Sequence, residues 1–189
     1  IKTQFNEVIY QLEQITKRKF DWDRFREISL ISNQTSCLWR EVIELNAHRP
    51  ATYTIFDVFN YMAPIVMMRG TQEALDFYRV LKEDIESAIA AGLAAVPGER
   101  YRLLYDGIPM WFELKHHAEL FRKYRMALVF STYAYFWVLE FDPASPLETM
   151  AEAYSRVGIN SCLSSKFAKE QELIRSVWVT CSCRGRRSN

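Results

Sequence analysis

The stretch that decides the fold is RYRLLYDGIPMW, residues 100–111. Its first half, residues 101–105, is short, apolar and aromatic, which is typical of a strand buried on at least one face. Asp106-Gly107 then ends the strand, and Pro109 suits the first turn of a helix, because proline lacks an N–H that this turn leaves unpaired anyway. Apolar residues follow at helical spacing. A strand, a turn and a helix form the first half of a βαβ unit, so an α/β fold is predicted.

Two further segments have the composition of buried strands, at residues 126–131 and 177–181. Strands that alternate with helices pair in parallel, and sequential strands are usually neighbours. The first 95 residues have helical periodicity only, so we divide the chain into a helical segment, 1–95, and an α/β segment, 96–189. Because the third strand is followed only by the polar tail CSCRGRRSN, we expect a fragment or an abnormal end.

Helix boundaries are indicated by capping residues, since a serine, threonine or aspartate oxygen accepts a hydrogen bond from an unpaired N–H of the first turn. An amphipathic helix with an apolar face opens the chain, ending near Lys17. Residues 63–70, which include Pro64, are predicted to be a loop or a broken turn. A helix is also predicted over residues 164–176. The predicted caps are Asp21, Thr54, Thr71 and Ser145.

Composition excludes several function classes. The 24 basic and 23 acidic residues nearly cancel, which argues against nucleic acid as a partner. No apolar run is long enough to span a membrane, and the start of the chain does not resemble a signal peptide. The four cysteines are scattered, which favours reduced thiols and a cytoplasmic location over a disulfide framework.

Well-known catalytic motifs are missing from the sequence. It contains no G-x-G-x-x-G, no phosphate-binding P-loop and no H-E-x-x-H. The adjacent His116 and His117 point about 100° apart on a helix and cannot share a metal from one face. Cys181 and Cys183 are separated by one residue, whereas zinc and iron–sulfur loops usually have two.

Candidate site residues lie after the first two strands, because open α/β sheets bind ligands outside the carboxyl ends of their strands. Gly107 allows a close backbone approach, Pro109 fixes the turn and Trp111 offers a flat apolar wall. The alternative is that these residues only connect two elements. The predicted substrate-binding residues are Asp106, Gly107, Pro109, Trp111, Tyr133 and Tyr135.

Several stretches together resemble the 2-hydroxyacyl-CoA dehydratase and benzoyl-CoA reductase family. RYRLLYDGIPMW is similar to the strand and turn that begin the family's second Rossmann-like domain. The resemblance therefore implies that the sheet is a partial Rossmann-like sheet, truncated at its third strand. The other similar stretches are QLEQITK (11–17), NAHRPA (46–51), the long helix at 70–92, MAEAY (150–154) and GINSCL (158–163).

The resemblance implies an iron–sulfur enzyme that acts on acyl-CoA thioesters by one-electron chemistry. It implies a 4Fe-4S cluster held by cysteines, a related sister subunit and an ATP-dependent activator that donates the electron. The reaction would be 2-hydroxyacyl-CoA dehydration or ring reduction of a benzoyl-CoA type. The stretches at 150–154 and 158–163 favour the reductase-like subunits.

The chain departs from the family's cysteine pattern. Cys181 and Cys183 stand near the place of one family ligand, but out of register with it, and they are the candidate metal ligands. Cys162 matches a short sequence that is typical of the family. A role in packing is at least as good an interpretation of this residue as metal ligation. Because a full ligand set is absent, the alternative function is a non-catalytic α/β module that serves only subunit pairing.

Overall fold

The computed structural model describes the backbone of residues 1–156 and the side chains of residues 1–154. The described part is mostly helical and contains two strands. In chain order the elements are α1 (Lys2–Thr16), α2 (Trp22–Leu45), α3 (Ile55–Tyr61), α4 (Ala63–Met67), α5 (Gln72–Ala90), β1 (Tyr101–Tyr105), a 3₁₀ turn (Trp111–Glu113), α6 (Leu114–Lys123), β2 (Met126–Ser131), α7 (Thr132–Tyr135) and α8 (Pro146–Arg156).

The predicted caps begin four of these helices. Asp21 Oδ1 accepts from the N–H of Arg24 over 2.8 Å, and Thr71 Oγ1 accepts from the N–H of Ala74 over 3.3 Å. At Thr54 the backbone N–H donates to the Asp57 carboxylate over 2.8 Å, which is one of the two hydrogen bonds of a capping box. Helix α8 begins at Pro146, directly after Ser145. Local capping chemistry therefore confirms the predicted starts at Asp21, Thr54 and Thr71.

Two predicted boundaries were wrong. Residues 63–70 are not wholly a loop, because Ala63–Met67 forms the short helix α4 with Pro64 in its first turn, where proline is tolerated. The helix predicted to begin at Pro109 begins later, with the 3₁₀ turn at Trp111. Met110 has φ −78° and ψ 86°, so the chain is not helical there.

The sheet consists of β1 and β2 paired in parallel, which confirms the predicted pairing. Tyr101 lies opposite Met126 and Tyr105 opposite Ser131, with a register shift between Leu103 and Leu104. The described residues are thus α/β with a small parallel sheet. The predicted strand at 177–181 and the helix at 164–176 lie outside them.

Burial differs between the two strands. Five of the six residues of β2 are buried, as its apolar run predicts. No residue of β1 is fully buried, so the expected burial of one face is only partial: Tyr105 packs against the core while Leu103 and Leu104 are exposed. In the described part of the chain β1 pairs on one edge only, which leaves it less covered than its composition predicts.

The core joins the long helices to the sheet. Trp39 of α2 is fully buried and its Nε1 donates to Ala134 O over 3.1 Å. Its ring lies 5.2 Å from that of Tyr78 on α5, and the Tyr78 hydroxyl donates to Tyr61 O over 2.8 Å. The core cluster includes residues from both sides of position 95, and the division into segments 1–95 and 96–189 stays a prediction.

The first helix is the least covered element. Helix α1 has no buried residue, and Val8, Leu12 and Ile15 of its predicted apolar face are at least half exposed. It packs against α8, where Lys2 and Glu148 form an ion pair of 2.5 Å. Among the helices of residues 1–156, none combines the length and apolarity required to cross a membrane.

Candidate functional site

Parallel pairing brings the ends of the two strands together. Tyr105 and Ser131 are partners in the sheet, so the residues that follow them are neighbours. Thr132 Oγ1 donates to Asp106 Oδ1 over 2.6 Å and accepts from the N–H of Gly107 over 3.4 Å. One buried hydroxyl therefore ties the turn after β1 to the start of α7.

Gly107 has a backbone conformation that favours glycine. Its φ is 94°, which side chains with a Cβ rarely adopt, and no atom lies within 4 Å of the place a Cβ would occupy. Glycine is therefore needed for the shape of the turn rather than to relieve a contact. The open space beside it is the space in which a ligand was predicted.

Four aromatic side chains form a cluster beside this turn. Its centre is Phe59 of α3, which is 3% exposed. The Phe59 ring lies 5.6 Å from Tyr105, 5.8 Å from Trp111 and 6.5 Å from Tyr133, and all three pairs are edge-to-face. Trp111 and Tyr133 are also 6.2 Å apart. Edge-to-face packing fixes these rings relative to one another. We call Phe59, Tyr105, Trp111 and Tyr133 the aromatic wall.

Four of the six predicted site residues are brought together. Asp106, Gly107, Trp111 and Tyr133 lie together around the turn, as the hydrogen bonds and ring contacts above show. Pro109 is buried beneath the turn, which suits a residue that fixes its shape. Tyr135 instead packs on Phe130 of β2, with ring centroids 5.4 Å apart, and its neighbour Tyr133 is the one that faces Trp111.

Three residues that build the site were not predicted as part of it, namely Thr132, Phe59 and Tyr105, the last of which ends the predicted strand that leads to the turn. Thr132 was detectable, because it is a polar residue directly after a buried strand, just as Asp106 directly follows the neighbouring strand. Phe59 carried no such signal, since it lies in a separate helix and its sequence pattern shows only an apolar face. Only tertiary packing brings α3 against the turn.

The surface of the turn is partly apolar and partly acidic. Trp111 is 49% exposed, so its ring forms both the aromatic wall and the outer surface. The Asp106 carboxylate is exposed, and its Oδ1 is engaged by Thr132. Within residues 1–156 Oδ2 accepts no hydrogen bond, which leaves a fixed acceptor beside an apolar surface. This combination suits an apolar ligand that carries a hydrogen-bond donor.

The described residues do not fit a 4Fe-4S cluster. Such a cluster needs several cysteine thiolates, and residues 1–156 hold a single cysteine, Cys37 on α2. Burial raises the pKa of the Cys37 thiol, and the Glu140 carboxylate raises it further, so the thiolate is disfavoured. No group of three potential metal ligands occurs in this part of the chain. Cys162 and the predicted ligands Cys181 and Cys183 lie outside it.

Comparison with known proteins identifies relatives over nearly the whole chain. A family model described as 2-hydroxyglutaryl-CoA dehydratase, D-component, matches residues 1–178. The alpha subunit of lactoyl-CoA dehydratase from Anaerotignum propionicum is 33% identical over 88% of this chain and 40% of its own length. The (R)-2-hydroxyisocaproyl-CoA dehydratase alpha subunit of Clostridioides difficile is 36% identical over 82% of this chain and 38% of its own.

A relative that is named for a different reaction also matches. One of the subunits of benzoyl-CoA reductase from Thauera aromatica is 30% identical over 80% of this chain and 38% of its own length. The chain thus spans about two fifths of the length of these curated relatives. The resemblance seen in the sequence is confirmed: the chain belongs to the family of 2-hydroxyglutaryl-CoA dehydratase D-components.

Proposed function

We propose that the chain is part of a subunit of an iron–sulfur enzyme that acts on acyl-CoA thioesters through one-electron chemistry. Family membership supports the substrate class, because the relatives are named as acyl-CoA dehydratase and reductase subunits. The observation that carries the proposal is the fixed pairing of the aromatic wall with the Asp106 carboxylate at the carboxyl ends of both strands.

The aromatic wall would bind the acyl group. Trp111 and Tyr133 present ring surface at the turn, and Phe59 behind them is buried and cannot move aside easily. Placing an apolar acyl chain on such a surface removes both from water, which favours binding. Because the rings hold one another edge-to-face, little freedom is lost when a ligand binds.

Asp106 would orient a hydroxyl group of the substrate. Thr132 holds one carboxylate oxygen at 2.6 Å, which leaves the other to accept a hydrogen bond from a 2-hydroxyl. A benzoyl thioester offers no such donor on its ring. We therefore infer 2-hydroxyacyl-CoA dehydration rather than ring reduction, in agreement with the dehydratase names of several relatives.

The cluster and the partners of the whole enzyme are proposed from the family. The described residues supply no cluster ligands, so no chemical step is assigned to a cluster. Relatives are named alpha subunits, which supports pairing with a sister subunit. The ATP-dependent activator is proposed from the family resemblance alone.

Binding measurements on the complete enzyme test the site. We expect Trp111→Ala to raise the Kd of a 2-hydroxyacyl-CoA about ten-fold or more, since a buried aromatic contact of this kind contributes on the order of 1.5–3 kcal/mol. Phe112→Ala is the matched control, because Phe112 is adjacent but 84% exposed and makes no ring contact within residues 1–156. Equal effects of both variants would remove the aromatic wall from the site.

Asp106→Asn tests the hydroxyl-binding role separately. The amide keeps an oxygen for Thr132 but removes the negative charge, so the bond to a substrate hydroxyl weakens. We expect the Kd to rise several-fold for a 2-hydroxyacyl-CoA and to stay unchanged for the acyl-CoA that lacks the hydroxyl. A similar change for both ligands, or none for either, would show that Asp106 does not bind the hydroxyl.

One observation favours the alternative function, a non-catalytic module for subunit pairing. Helix α1 presents Leu12 and Ile15 on a surface that the rest of residues 1–156 leaves open. Leu12→Glu with Ile15→Glu is the test, measured as assembly of the complete enzyme by analytical ultracentrifugation. Under the alternative, assembly is lost while Trp111→Ala has no effect on ligand binding.

A further inference from the structure

A cavity lies at the opposite end of the sheet from the candidate site. It has a volume of about 510 Å³ and is lined by segments that precede and begin β1. Three of its lining residues are arginines, namely Arg49, Arg100 and Arg102, and one is the acidic Glu99. We call this cavity the arginine pocket. β1 separates it from the Asp106 turn by about 15 Å, at roughly 3.3 Å per strand residue.

The floor of the pocket is a buried ion pair. Arg102 Nη1 lies 2.8 Å from Glu99 Oε1, and the two side chains are 7% and 10% exposed. Arg102 Nη2 also donates to Asn46 O over 2.6 Å, and Glu99 Oε2 accepts from the N–H of Ala51 over 2.8 Å. This network neutralises Arg102 and gives the pocket a rigid base.

The rim of the pocket has an excess of positive charge. Arg100 is exposed, and its guanidinium lies 5.2 Å from the centre of the Tyr101 ring. Arg125 lies beside the pocket, since a Cβ on the lining residue Gly98 would be 3.7 Å from Arg125 Nη1. Within residues 1–156 neither Arg100 nor Arg125 forms an ion pair with a carboxylate. Since Arg102 and Glu99 offset each other, Arg100 and Arg125 contribute two positive charges beside the pocket.

The backbone holds these cations close together. The N–H groups of Arg100 and Tyr101 both donate to Arg125 O, over 2.9 and 3.2 Å, so the starts of the two strands are joined. Gly98 has φ 67°, a conformation in which other residues are strained, and it lets the chain turn back at the pocket. The side chains of Arg100 and Arg125 therefore start from neighbouring backbone positions.

We propose that the arginine pocket binds the phosphate groups of a small phosphate-bearing ligand. Guanidinium groups match phosphate oxygens in geometry and bind them through two parallel hydrogen bonds. The two positive charges of Arg100 and Arg125 are more than a single carboxylate would offset, and they suit a diphosphate or a pair of phosphates. The cavity volume is in the range of small-molecule sites. This proposal does not depend on the function proposed for the Asp106 turn.

Titration calorimetry of the full-length subunit with inorganic pyrophosphate tests the proposal. We expect saturable binding that weakens about ten-fold in Arg100→Gln and again in Arg125→Gln, since a charge-assisted hydrogen bond contributes about that factor. Arg18→Gln is the matched control, because Arg18 is exposed and lies in the turn after α1. It should leave the affinity unchanged. Absence of saturable binding, or equal loss in Arg18→Gln, would overturn the proposal.

Competition identifies the source of the phosphate. CoA is added to the pyrophosphate-saturated protein, with pantetheine, which lacks phosphates, as its control. Displacement of pyrophosphate by CoA and not by pantetheine assigns the pocket to the phosphates of CoA. Pyrophosphate binding that CoA does not displace assigns it to a separate phosphate-bearing ligand. Trp111→Ala leaves pyrophosphate binding intact in both cases, so a failure of the proposed function is distinguishable from a failure here.

Discussion

β1 and β2 are neighbours of similar length and apolar composition, yet they are buried to different degrees. Leu128 of β2 is 2% exposed, whereas its sheet partner Leu103 on β1 is 36% exposed. β2 is held by apolar packing. β1 is held by its pairing with β2 and by the buried side chain of Arg102. The difference explains why the two halves of the candidate site differ in burial. Thr132 and Tyr133, which follow β2, are better covered than Asp106 and Trp111, which follow β1.

The largest expected effect comes from removing the buried Arg102 side chain, which holds β1 in place. Arg102→Met leaves the Glu99 carboxylate buried without its cation, so the free energy of unfolding should fall by about 3–5 kcal/mol. Urea denaturation monitored by circular dichroism measures it. The double variant Arg102→Met/Glu99→Gln removes the stranded charge as well and should recover at least half of the loss. A single variant as stable as the wild type would show that β1 is anchored otherwise.

Two leucines that are partners in the sheet, Leu103 and Leu128, test directly whether β1 and β2 differ in burial. Leu128→Ala should cost about 2–5 kcal/mol, because it leaves a cavity in the core that cannot collapse fully. Leu103→Ala deletes the same atoms from a partly exposed position and should cost less than about 1 kcal/mol. Guanidinium unfolding of both variants gives the difference. Equal costs would mean that β1 is as well covered in the complete protein as β2.

A smaller effect than that of Leu128→Ala is expected for the hydrogen bond that joins the two halves of the site. Thr132→Val removes the donor to Asp106, and because that carboxylate is exposed and can rehydrate, the loss should be about 1 kcal/mol. Thr132→Ser keeps the hydroxyl and serves as the control. Ligand affinity should fall in Thr132→Val and not in Thr132→Ser. If both variants bind ligand equally well, the hydrogen bond does not position Asp106.

Much of the local structure could be predicted because it depends on nearby residues. The caps at Asp21, Thr54 and Thr71 act over three or four positions, and the helix starts follow from them. The two strands and their parallel pairing also followed from composition and order. The start of α6 was predicted too early, since the sequence does not report the backbone angles of Met110.

The site could be located from the sequence, but its members could not all be chosen. The rule that ligands bind at the carboxyl ends of parallel strands pointed to the Asp106 turn. It could not separate Tyr133, which faces Trp111, from Tyr135, which packs on Phe130. The two tyrosines stand two residues apart in the short helix α7, and the direction of each ring depends on the elements packed around it.

The sequence alone determined the α/β class, most element positions, the family resemblance and the turn at which to look for a ligand. These depend on periodicity, capping and turn chemistry, which act over a few residues. Tertiary structure alone decided that Phe59 joins the aromatic wall, that Thr132 ties the turn to α7 and that the arginines meet at the start of the sheet. Such contacts join residues far apart in the chain, and no local pattern encodes the distance between them.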